Sequence, residues 1–565
     1  MTPAEVVAGT YRRIRERGDD GVWISLRREA DVLRDLDGLD PALPLYGVPF
    51  AVKDNVDVAG LPTTAACPAF AYRPARSAPL VDRLVAAGAL LVGKTNLDQF
   101  ATGLSGTRTP YGACESPLVP GLISGGSSSG SAVAVAAGLV PFAIGTDTAG
   151  SGRVPAALTG TVGLKPSRGL VPTLGVVPAC RSLDCPSVFA RTVADATAVL
   201  RVIAGPHPGD PWSRTPSPRK PGGGPSARIG VPRTPEFFGD GAAAEAFTAV
   251  TERLAGLGHE IVPVDLTPFL AAGRLLYEGP WVAERLAGVG DFAARHARDL
   301  HPVTRRVLES GGAISGAEVF GGLHRLRELR SVTAPVWTRI DALAVPTVPT
   351  TFTLAEMAED PIGRNTILGH YTTFANLLDL AAVAVPAGLT PAGRPHGVTF
   401  LAPAGSDDFL AALGAGFLGE KAEKAEKDEK AEKDEADPAP RTVPLAVVGA
   451  HRVGQPLHPH LVALGARFAA VARTAPCYRL YDLGDRPGLV REEGGSSVEV
   501  ELHEITPAAL GELLVTVPSP LGLGTVELSD GRRVQGFLCE SYAVGSARDI
   551  TGLGSWPAYL AAGRA

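Results

Sequence analysis

Hydrophobic and polar positions follow two different periods over most of the chain. Segments 78–87 and 132–137 have apolar residues at helical spacing, whereas 89–92 and 141–144 are short apolar runs typical of buried strands. Helices that alternate with strands favour an α/β architecture, in which helices cover a sheet. We therefore predict one long α/β domain over residues 1–418.

A charged segment interrupts this pattern. Glu420–Asp437 is built on Glu-Lys-Ala repeats, with five Lys against nine acidic residues and no apolar face for a core. Several Glu–Lys pairs are four residues apart, a spacing that favours a solvated helix. We predict a charged linker over 419–441 that acts as a semi-rigid spacer or as a simple tether.

A different pattern follows the linker. Residues 444–448 form an apolar run, Val498, Val500 and Leu502 alternate with polar neighbours, and 526–537 has the pattern of a hairpin about Asp530-Gly531. These features predict a separate, small α+β domain over residues 442–565.

Composition and charge exclude several classes of protein. The 565 residues are too many for one ordinary core, and the net charge of −6 includes no basic block, so nucleic acid is not an expected partner. The longest apolar run, 132–144, is too short to span a bilayer, and the N-terminus lacks a signal pattern. Six cysteines without a CxxC pair indicate reduced thiols in a cytoplasmic protein. The histidines show no metal-ligand spacing, so we expect neither a metal nor a cofactor.

Two glycine-rich loops and one lysine carry the candidate chemistry. Lys53 ends a strand-like run, Ser127 lies in Gly-Gly-Ser-Ser-Ser-Gly-Ser, and Ser151 lies in Gly-Thr-Asp-Thr-Ala-Gly-Ser-Gly-Arg. A serine needs a base to become nucleophilic, and lysine is a base only when neutral. Lowering a lysine pKa from about 10.4 towards 7 takes roughly 4–5 kcal/mol of desolvation or charge repulsion. A buried pocket walled by glycine could supply this.

Three other interpretations of these segments remain open from the residues alone. Residues 88–95 match the P-loop pattern with Lys94, although their middle residues are typical of a buried strand. Residues 126–130 match the nucleophile elbow of α/β-hydrolases, centred on Ser128, although a loop-like segment precedes them. Finally, the glycine-rich segments could be turns with no further role.

The motifs at 47–55, 93–96, 125–131 and 145–157 resemble the amidase signature family, and this resemblance covers most of residues 20–415. It implies an α/β fold with a mixed sheet covered by helices. It also implies that Ser151 is the nucleophile, Ser127 the bridging serine after a cis peptide bond, and Lys53 the base.

The same resemblance assigns an oxyanion hole to one loop. The backbone amides of Thr148, Ala149, Gly150 and Ser151 would stabilise the negative charge of the tetrahedral intermediate. Asp147 and Arg153 flank this loop, and we interpret them as an ion pair that shapes it, a pair on the surface being the alternative.

The sequence after the linker indicates which kind of amidase the chain resembles. Segments 447–457, 518–524 and 536–540 resemble the C-terminal domain of the allophanate hydrolase family, which is similar to the γ-glutamylcyclotransferase fold. Allophanate would then be the small-molecule substrate. Its hydrolysis would yield ammonia and N-carboxycarbamate, and the tail would promote decarboxylation.

Family resemblance also points to four further residues. Tyr277 and Arg285 would contact the substrate, since a guanidinium grips a carboxylate through two hydrogen bonds; a surface arginine beside a packed tyrosine is the alternative. In the tail, His451 and, more weakly, Glu540 are candidates for the decarboxylation step, whereas a structural histidine is equally compatible with the sequence. His458 stands where the family pattern leads us to expect asparagine.

The resemblance further implies a functional link to a urea carboxylase and a possible homodimer. Three alternatives to allophanate hydrolysis remain: a subunit of a tRNA-dependent amidotransferase, another small-amide amidase, and a non-catalytic scaffold.

Overall fold

The structure is a computed structural model that describes residues 2–219, 226–420 and 442–563. The chain divides into two compact units, residues 1–422 and 423–565. Most of the predicted linker lies outside the described residues. Its first part belongs to the first unit, where the Glu420 carboxylate accepts a hydrogen bond from the Val193 amide at 2.8 Å.

The first unit contains fifteen described α-helices and eleven strands. Its helices are α1 (Pro3–Arg17), α2 (Glu29–Leu36), α3 (Pro79–Ala86), α4 (Ser129–Ala136), α5 (Val154–Thr159), α6 (Val193–Ile203), α7 (Gly241–Gly256), α8 (Thr267–Glu278), α9 (Trp281–Arg295), α10 (Pro302–Gly311), α11 (Gly316–Thr333), α12 (Leu354–Glu359), α13 (Gly363–Leu368), α14 (Phe374–Leu377) and α15 (Asp407–Leu418). Its strands are β1 (Trp23–Leu26), β2 (Pro49–Lys53), β3 (Leu90–Thr95), β4 (Phe142–Asp147), β5 (Val162–Lys165), β6 (Cys185–Ala190), β7 (Arg228–Pro232), β8 (Glu260–Val264), β9 (Ala342–Pro346), β10 (Leu380–Leu389) and β11 (Pro395–Pro403).

The second unit is smaller and richer in strands. Its described strands are β12 (Val443–Val447), β13 (Arg467–Arg473), β14 (Tyr478–Asp482), β15 (Pro487–Arg491), β16 (Glu499–Ile505), β17 (Leu521–Glu527), β18 (Arg533–Cys539) and β19 (Arg548–Asp549). Its described α-helices are α16 (His458–Ala463), α17 (Pro507–Leu514) and α18 (Trp556–Ala561).

All described strands of the first unit join one mixed sheet in the order β1-β3-β2-β4-β6-β5-β10-β11-β9-β7-β8. Strand β2 pairs in parallel with both β3 and β4, and Val52 lies opposite Ile144. Every residue of β2, β3, β4 and β6 is buried, as expected for central strands covered on both faces. Because β2 and β4 are parallel neighbours, their carboxyl ends, Lys53 and Asp147, meet at one edge of the sheet.

Three large apolar clusters cover this sheet. One contains the stacked rings of Phe50 and Phe142, whose centroids are 5.4 Å apart, and a second is built around Phe269 and Phe374. The third packs α4 against Ala51 of β2 and Ala143 of β4. The second unit has its own core, in which Tyr478, Val500 and Trp556 are buried between a five-stranded and a three-stranded sheet. The predicted α/β fold with a separate strand-rich tail is therefore confirmed.

The predicted elements agree with the observed ones near the motifs. The helical pattern at 78–87 is α3, the apolar run at 89–92 begins β3, and the hairpin pattern about Asp530-Gly531 is the β17–β18 pair. In the described residues no helix is both long enough and apolar enough to cross a membrane.

The structure excludes two of the alternative interpretations. Residues 90–95 form the buried strand β3 rather than a phosphate-binding loop, and the Lys94 amine lies 3.0 Å from the Asp54 carboxylate with both side chains buried. No strand leads directly into Ser128, as a nucleophile elbow requires, and its hydroxyl donates to the Thr146 carbonyl at 3.1 Å.

Candidate active site

Lys53, Ser127 and Ser151 form a continuous hydrogen-bonded chain inside the first unit. Lys53 Nζ lies 2.8 Å from Ser127 Oγ, and Ser127 Oγ lies 2.9 Å from Ser151 Oγ. Lys53 and Ser127 are fully buried, and Ser151 is 2% exposed. Because hydroxyl hydrogens rotate, these distances also allow Ser151 to donate to Ser127 and Ser127 to donate to a neutral amine.

Parallel strand pairing puts the lysine in this position. Lys53 ends β2, and its amine also donates to Thr146 Oγ1 at 2.8 Å, on the neighbouring strand β4. Burial lowers the pKa of Lys53 to about 7, against the opposing effect of the Asp98, Asp147 and Asp184 carboxylates. The amine is therefore substantially neutral near pH 7, as a proton acceptor must be.

Close packing shapes the loop that carries Ser127. The Gly126–Ser127 peptide bond is cis, as the family resemblance implies. A Cβ at Gly126 would overlap the Asp98 carboxylate, so only glycine fits there. The Asp98 carboxylate accepts hydrogen bonds from the Gly106 amide at 3.0 Å and from the Arg108 amide at 2.9 Å. These bonds fix the backbone segment that packs against the Ser127 loop.

A buried ion pair shapes the second loop. Arg153 Nε and Nη2 donate to the two Asp147 carboxylate oxygens at 2.9 and 3.0 Å, with neither side chain exposed. The predicted pair is present, and its alternative, a surface pair, is wrong. The other contacts of this carboxylate are with the amides of Gly150 and Gly152, both at 3.0 Å, so that the loop closes around it.

This geometry corrects one part of the predicted oxyanion hole. The Gly150 amide is directed at Asp147 and is not available to an oxyanion. In the described parts of the chain, the amides of Thr148, Ala149 and Ser151 have no such acceptor. Gly150 serves the loop in another way, because its φ of 134° and the proximity of Thr372 exclude a side chain.

Asp184 supports the same loop from the other side. Its carboxylate accepts a hydrogen bond from Thr148 Oγ1 at 2.5 Å and from the amides of Ala179 and Cys180 at 3.0 and 3.1 Å. Burial raises the pKa of Asp184 to about 6 although these hydrogen bonds lower it. The carboxylate acts electrostatically on both Lys53 and Arg285, which places the two cations in one neighbourhood.

Arg285 is buried with part of its guanidinium unused. It is 2% exposed on α9, and its Nη1 donates to Thr102 Oγ1 at 3.3 Å. Among the described residues, its Nε and Nη2 have no hydrogen-bond partner. The guanidinium lies over the Tyr277 ring, with 5.2 Å between the guanidinium carbon and the ring centroid. The alternative of a surface arginine is therefore wrong, and two donors are left for a ligand.

In the second unit, His451 lines a cavity of about 410 Å³ together with His460, Pro487 and Phe537. Its ring stacks on Phe537 with the centroids 5.1 Å apart. Burial, with His460 and His503 nearby, lowers the pKa of His451 to about 4, so the imidazole is neutral at pH 7. Its Nε2 atom is enclosed and has no hydrogen-bond partner in the described part of the tail.

The structure does not bring Glu540 to this cavity. Glu540 is exposed after β18, where it precedes a short 3₁₀ helix, and it is not part of the cavity wall. The family resemblance pointed to Glu540, but the folded chain leaves this residue exposed. His458, the departure from the family pattern, contacts His503 with 5.8 Å between the ring centroids.

Sequence reasoning missed three residues that shape the first site. Thr146 lies within the motif that contains Ser151, but nothing in the motif distinguishes its hydroxyl. Asp98 lies two residues after the motif at 93–96, and this proximity is the signal that could have identified it. Asp184 lies in a separate segment, and only the folded chain brings it to the loop.

Comparisons with known proteins agree with the two-domain fold. A family model described as Amidase matches residues 24–410, and one described as the allophanate hydrolase C-terminal domain matches residues 443–561. The solved structure of Kluyveromyces lactis allophanate hydrolase is similar, with a TM-score of 0.73 and 37% identity, over 100% of this chain and 97% of that chain.

Two curated relatives extend the comparison. Urea amidolyase of Saccharomyces cerevisiae is 39% identical over 572 positions, which cover 96% of this chain and 31% of that protein. The chain therefore spans 31% of the length of this relative. One subunit of the glutamyl-tRNA(Gln) amidotransferase of Acidobacterium capsulatum is 35% identical over 423 positions, 68% of this chain and 88% of that protein. The chain belongs to the amidase family, as an amidohydrolase whose amidase domain is followed by a C-terminal domain of the allophanate hydrolase type.

Proposed function

We propose that this protein hydrolyses allophanate, the carboxylate of urea, as a step in urea degradation. The observation that carries the amidase chemistry is the chain from Lys53 through Ser127 to Ser151, with distances of 2.8 and 2.9 Å. The observation that favours allophanate within the family is the match of the tail to the allophanate hydrolase C-terminal domain.

Each member of the triad has one role in this proposal. Ser151 Oγ attacks the terminal carbonyl carbon of allophanate, its proton passes to Ser127, and the Ser127 proton passes to neutral Lys53. The Lys53 proton then returns through Ser127 to the departing nitrogen, which leaves as ammonia. Water cleaves the resulting acyl-enzyme by the same route and releases N-carboxycarbamate.

The loop before Ser151 stabilises the charge that develops on the carbonyl oxygen. The amides of Thr148, Ala149 and Ser151 are the proposed donors, and Asp184 holds this loop through the Thr148 hydroxyl. Fixed donors of this kind are typically worth about 3–4 kcal/mol each in the transition state.

Arg285 recognises the substrate carboxylate. Allophanate is planar and anionic, and a guanidinium with two free donors matches such a group in charge and shape. The Tyr277 ring beneath the guanidinium keeps it oriented and adds a flat surface beside the ureido group.

The tail completes the reaction in this proposal. His451, neutral and enclosed beside a cavity of about 410 Å³, would handle the proton when N-carboxycarbamate loses carbon dioxide. The upstream partner would be a urea carboxylase, because the chain matches part of longer proteins named urea amidolyase.

Two other functions are less well supported. An amidotransferase subunit would share the triad, but the relative of that kind matches 68% of this chain, whereas the tail has its own family match. A non-catalytic scaffold would have no need for a buried lysine near neutrality or an unpaired guanidinium.

A substrate panel at neutral pH tests the proposal. Ammonia release is measured from allophanate, malonamate, biuret, urea and glutamine, with wild type, Ser151→Ala and the control Ser129→Ala. Ser129 lies two residues beyond Ser127, and its hydroxyl lies 3.5 Å from the Asn96 carbonyl, outside the proton path. We expect allophanate to be the preferred substrate and only Ser151→Ala to be inactive. Preference for glutamine, or near-wild-type turnover by Ser151→Ala, would contradict the proposal.

A further inference from the structure

An arginine-rich cavity of about 1060 Å³ lies in the first unit, and its arginines have no role in the proposed hydrolysis. Five arginines line it: Arg168, Arg181, Arg214, Arg327 and Arg330. Three come from separate loop segments, and the last two are on α11. The convergence of so many cations from distant parts of the chain indicates a formed electropositive site.

The acidic residues around the cavity do not balance this charge. Its wall contains two carboxylates, Asp184 and Glu284, and Glu284 already accepts the Ser182 amide at 2.7 Å and the Ser182 hydroxyl at 2.6 Å. Behind the wall, Asp379 forms ion pairs with both Arg168 and Arg214. Burial, together with the charges of Arg168 and Arg214, lowers the pKa of Arg330. These guanidiniums are therefore close enough to repel one another.

Two of the arginines are free to take a ligand. Neither the Arg181 nor the Arg327 guanidinium has a hydrogen bond or ion pair within the described residues. Both side chains belong to exposed residues at the cavity wall. A guanidinium bound to a phosphate or carboxylate forms charge-assisted hydrogen bonds, which are stronger than neutral ones.

The rest of the wall suits an organic ligand. Trp212 and Trp281 line the cavity together with Leu323 and Leu326, and Trp212 is 43% exposed. An exposed indole beside guanidiniums offers a flat surface for a ring. We propose that this cavity binds an organic anion with several phosphate or carboxylate groups, at a site separate from the triad.

The position of the cavity connects it to the catalytic loop. Asp184 lines the cavity and at the same time accepts the Thr148 hydroxyl at 2.5 Å. Glu284 lines it as well and immediately precedes Arg285 on α9. An anion bound here would act on the oxyanion loop and on the substrate arginine, so that its binding changes the hydrolysis rate.

Calorimetric titration of the full chain without substrate tests this site and does not depend on the proposed reaction. The probes are pyrophosphate, ADP, adenosine and citrate. Pyrophosphate against citrate compares phosphate with carboxylate groups, and ADP against adenosine shows what the phosphates add to a ligand with the same ring. The variant Arg181→Gln/Arg327→Gln removes the two unpaired guanidiniums, and Arg325→Gln is the control. Arg325 is on the same helix, but it pairs with Glu328 at 2.8 Å and does not line the cavity.

We expect saturable binding of at least one polyanion, weakened about tenfold or more in the double variant and unchanged in the control. Binding should also weaken as salt rises, because exposed charges are screened. Tighter binding of ADP and pyrophosphate than of citrate identifies a phosphate ligand, and the reverse order a carboxylate ligand.

Three results would overturn the inference: no saturable binding below about 10 mM, equal loss in the control variant, or displacement of the polyanion by malonamate, which would mean that both occupy the substrate site.

Discussion

Arg153 and Asp147 form a two-pronged ion pair that water does not reach. The guanidinium donates at 2.9 and 3.0 Å, and the side chains of both residues have no exposed surface. Although burial alone would raise the pKa of Asp147, Arg153 and the backbone amides of the loop hold it below its ordinary value. The loop that carries Ser151 therefore depends on a buried charge that Arg153 compensates through two direct hydrogen bonds.

We expect Arg153→Met to destabilise the amidase domain by about 3–5 kcal/mol, because it leaves a buried carboxylate unpaired. Urea unfolding followed by tryptophan fluorescence measures this, since four of the five tryptophans lie in residues 1–422. The control is Arg305→Met, which breaks an exposed ion pair in which Arg305 lies 3.6 Å from Glu309. This variant should lower the free energy of unfolding by less than about 1 kcal/mol. Equal effects of the two variants would show that the buried pair does not hold the loop.

The pH dependence of hydrolysis should report the Lys53 amine. Since burial lowers the pKa of Lys53 to about 7 and the base must be neutral, kcat/KM should rise through about pH 7 and level off above it. Below this pH the protonated fraction grows, and the rate should fall about tenfold for each pH unit.

A single substitution should move this profile. Thr146 Oγ1 accepts a hydrogen bond from the amine at 2.8 Å and favours its charged form, so Thr146→Val should shift the midpoint to lower pH. The control is Thr95→Val, because the Thr95 hydroxyl pairs with Ser131 at 2.7 Å and not with Lys53. A midpoint that stays in place in Thr146→Val, or a profile flat across pH 7, would exclude Lys53 as the titrating base.

The sequence predicted the parts of this site that depend on local pattern. Lys53 stands at the end of an apolar run, and the serines stand in glycine-rich loops, so strand and loop assignments followed from composition and period. The buried position of Lys94 on a strand was likewise visible in its apolar neighbours.

Tertiary contacts determine the rest. Asp184 reaches Thr148 from a segment 36 residues away, and no local pattern records this contact. The Gly150 amide differs from its neighbours only because the loop folds around Asp147. Glu540 belongs to a segment that resembles the tail domain of the family, but the folded chain leaves it exposed and outside the cavity wall.

Arg285 should determine preference for a charged substrate. Its Nε and Nη2 have no partner among the described residues, and a substrate carboxylate would supply one. We expect Arg285→Gln to lower kcat/KM for allophanate about 10- to 100-fold through loss of charge-assisted hydrogen bonds. For biuret, in which a neutral amide replaces the carboxylate, the same variant should lower kcat/KM much less.

Steady-state kinetics on both substrates measures this ratio, with Thr102→Val as a comparison. The Thr102 hydroxyl contacts Nη1 at 3.3 Å and the Phe100 carbonyl at 3.2 Å, so Thr102→Val should have only a small effect on kcat/KM for allophanate. If Arg285→Gln slows both substrates equally, the arginine supports the fold and does not recognise the carboxylate.

His451 should affect the second chemical step and leave the first unchanged. The imidazole lines the tail cavity, whereas the triad lies in the other unit. The His451→Asn enzyme should therefore release the first ammonia from allophanate at the wild-type rate. Release of carbon dioxide should lag behind it, because N-carboxycarbamate must then decay without the tail. Carbon-13 NMR of labelled allophanate follows both products in one experiment. The matched control is His458→Asn, since His458 contacts His503 but does not line the cavity. Carbon dioxide that keeps pace with ammonia in His451→Asn would show that this histidine has a structural role only.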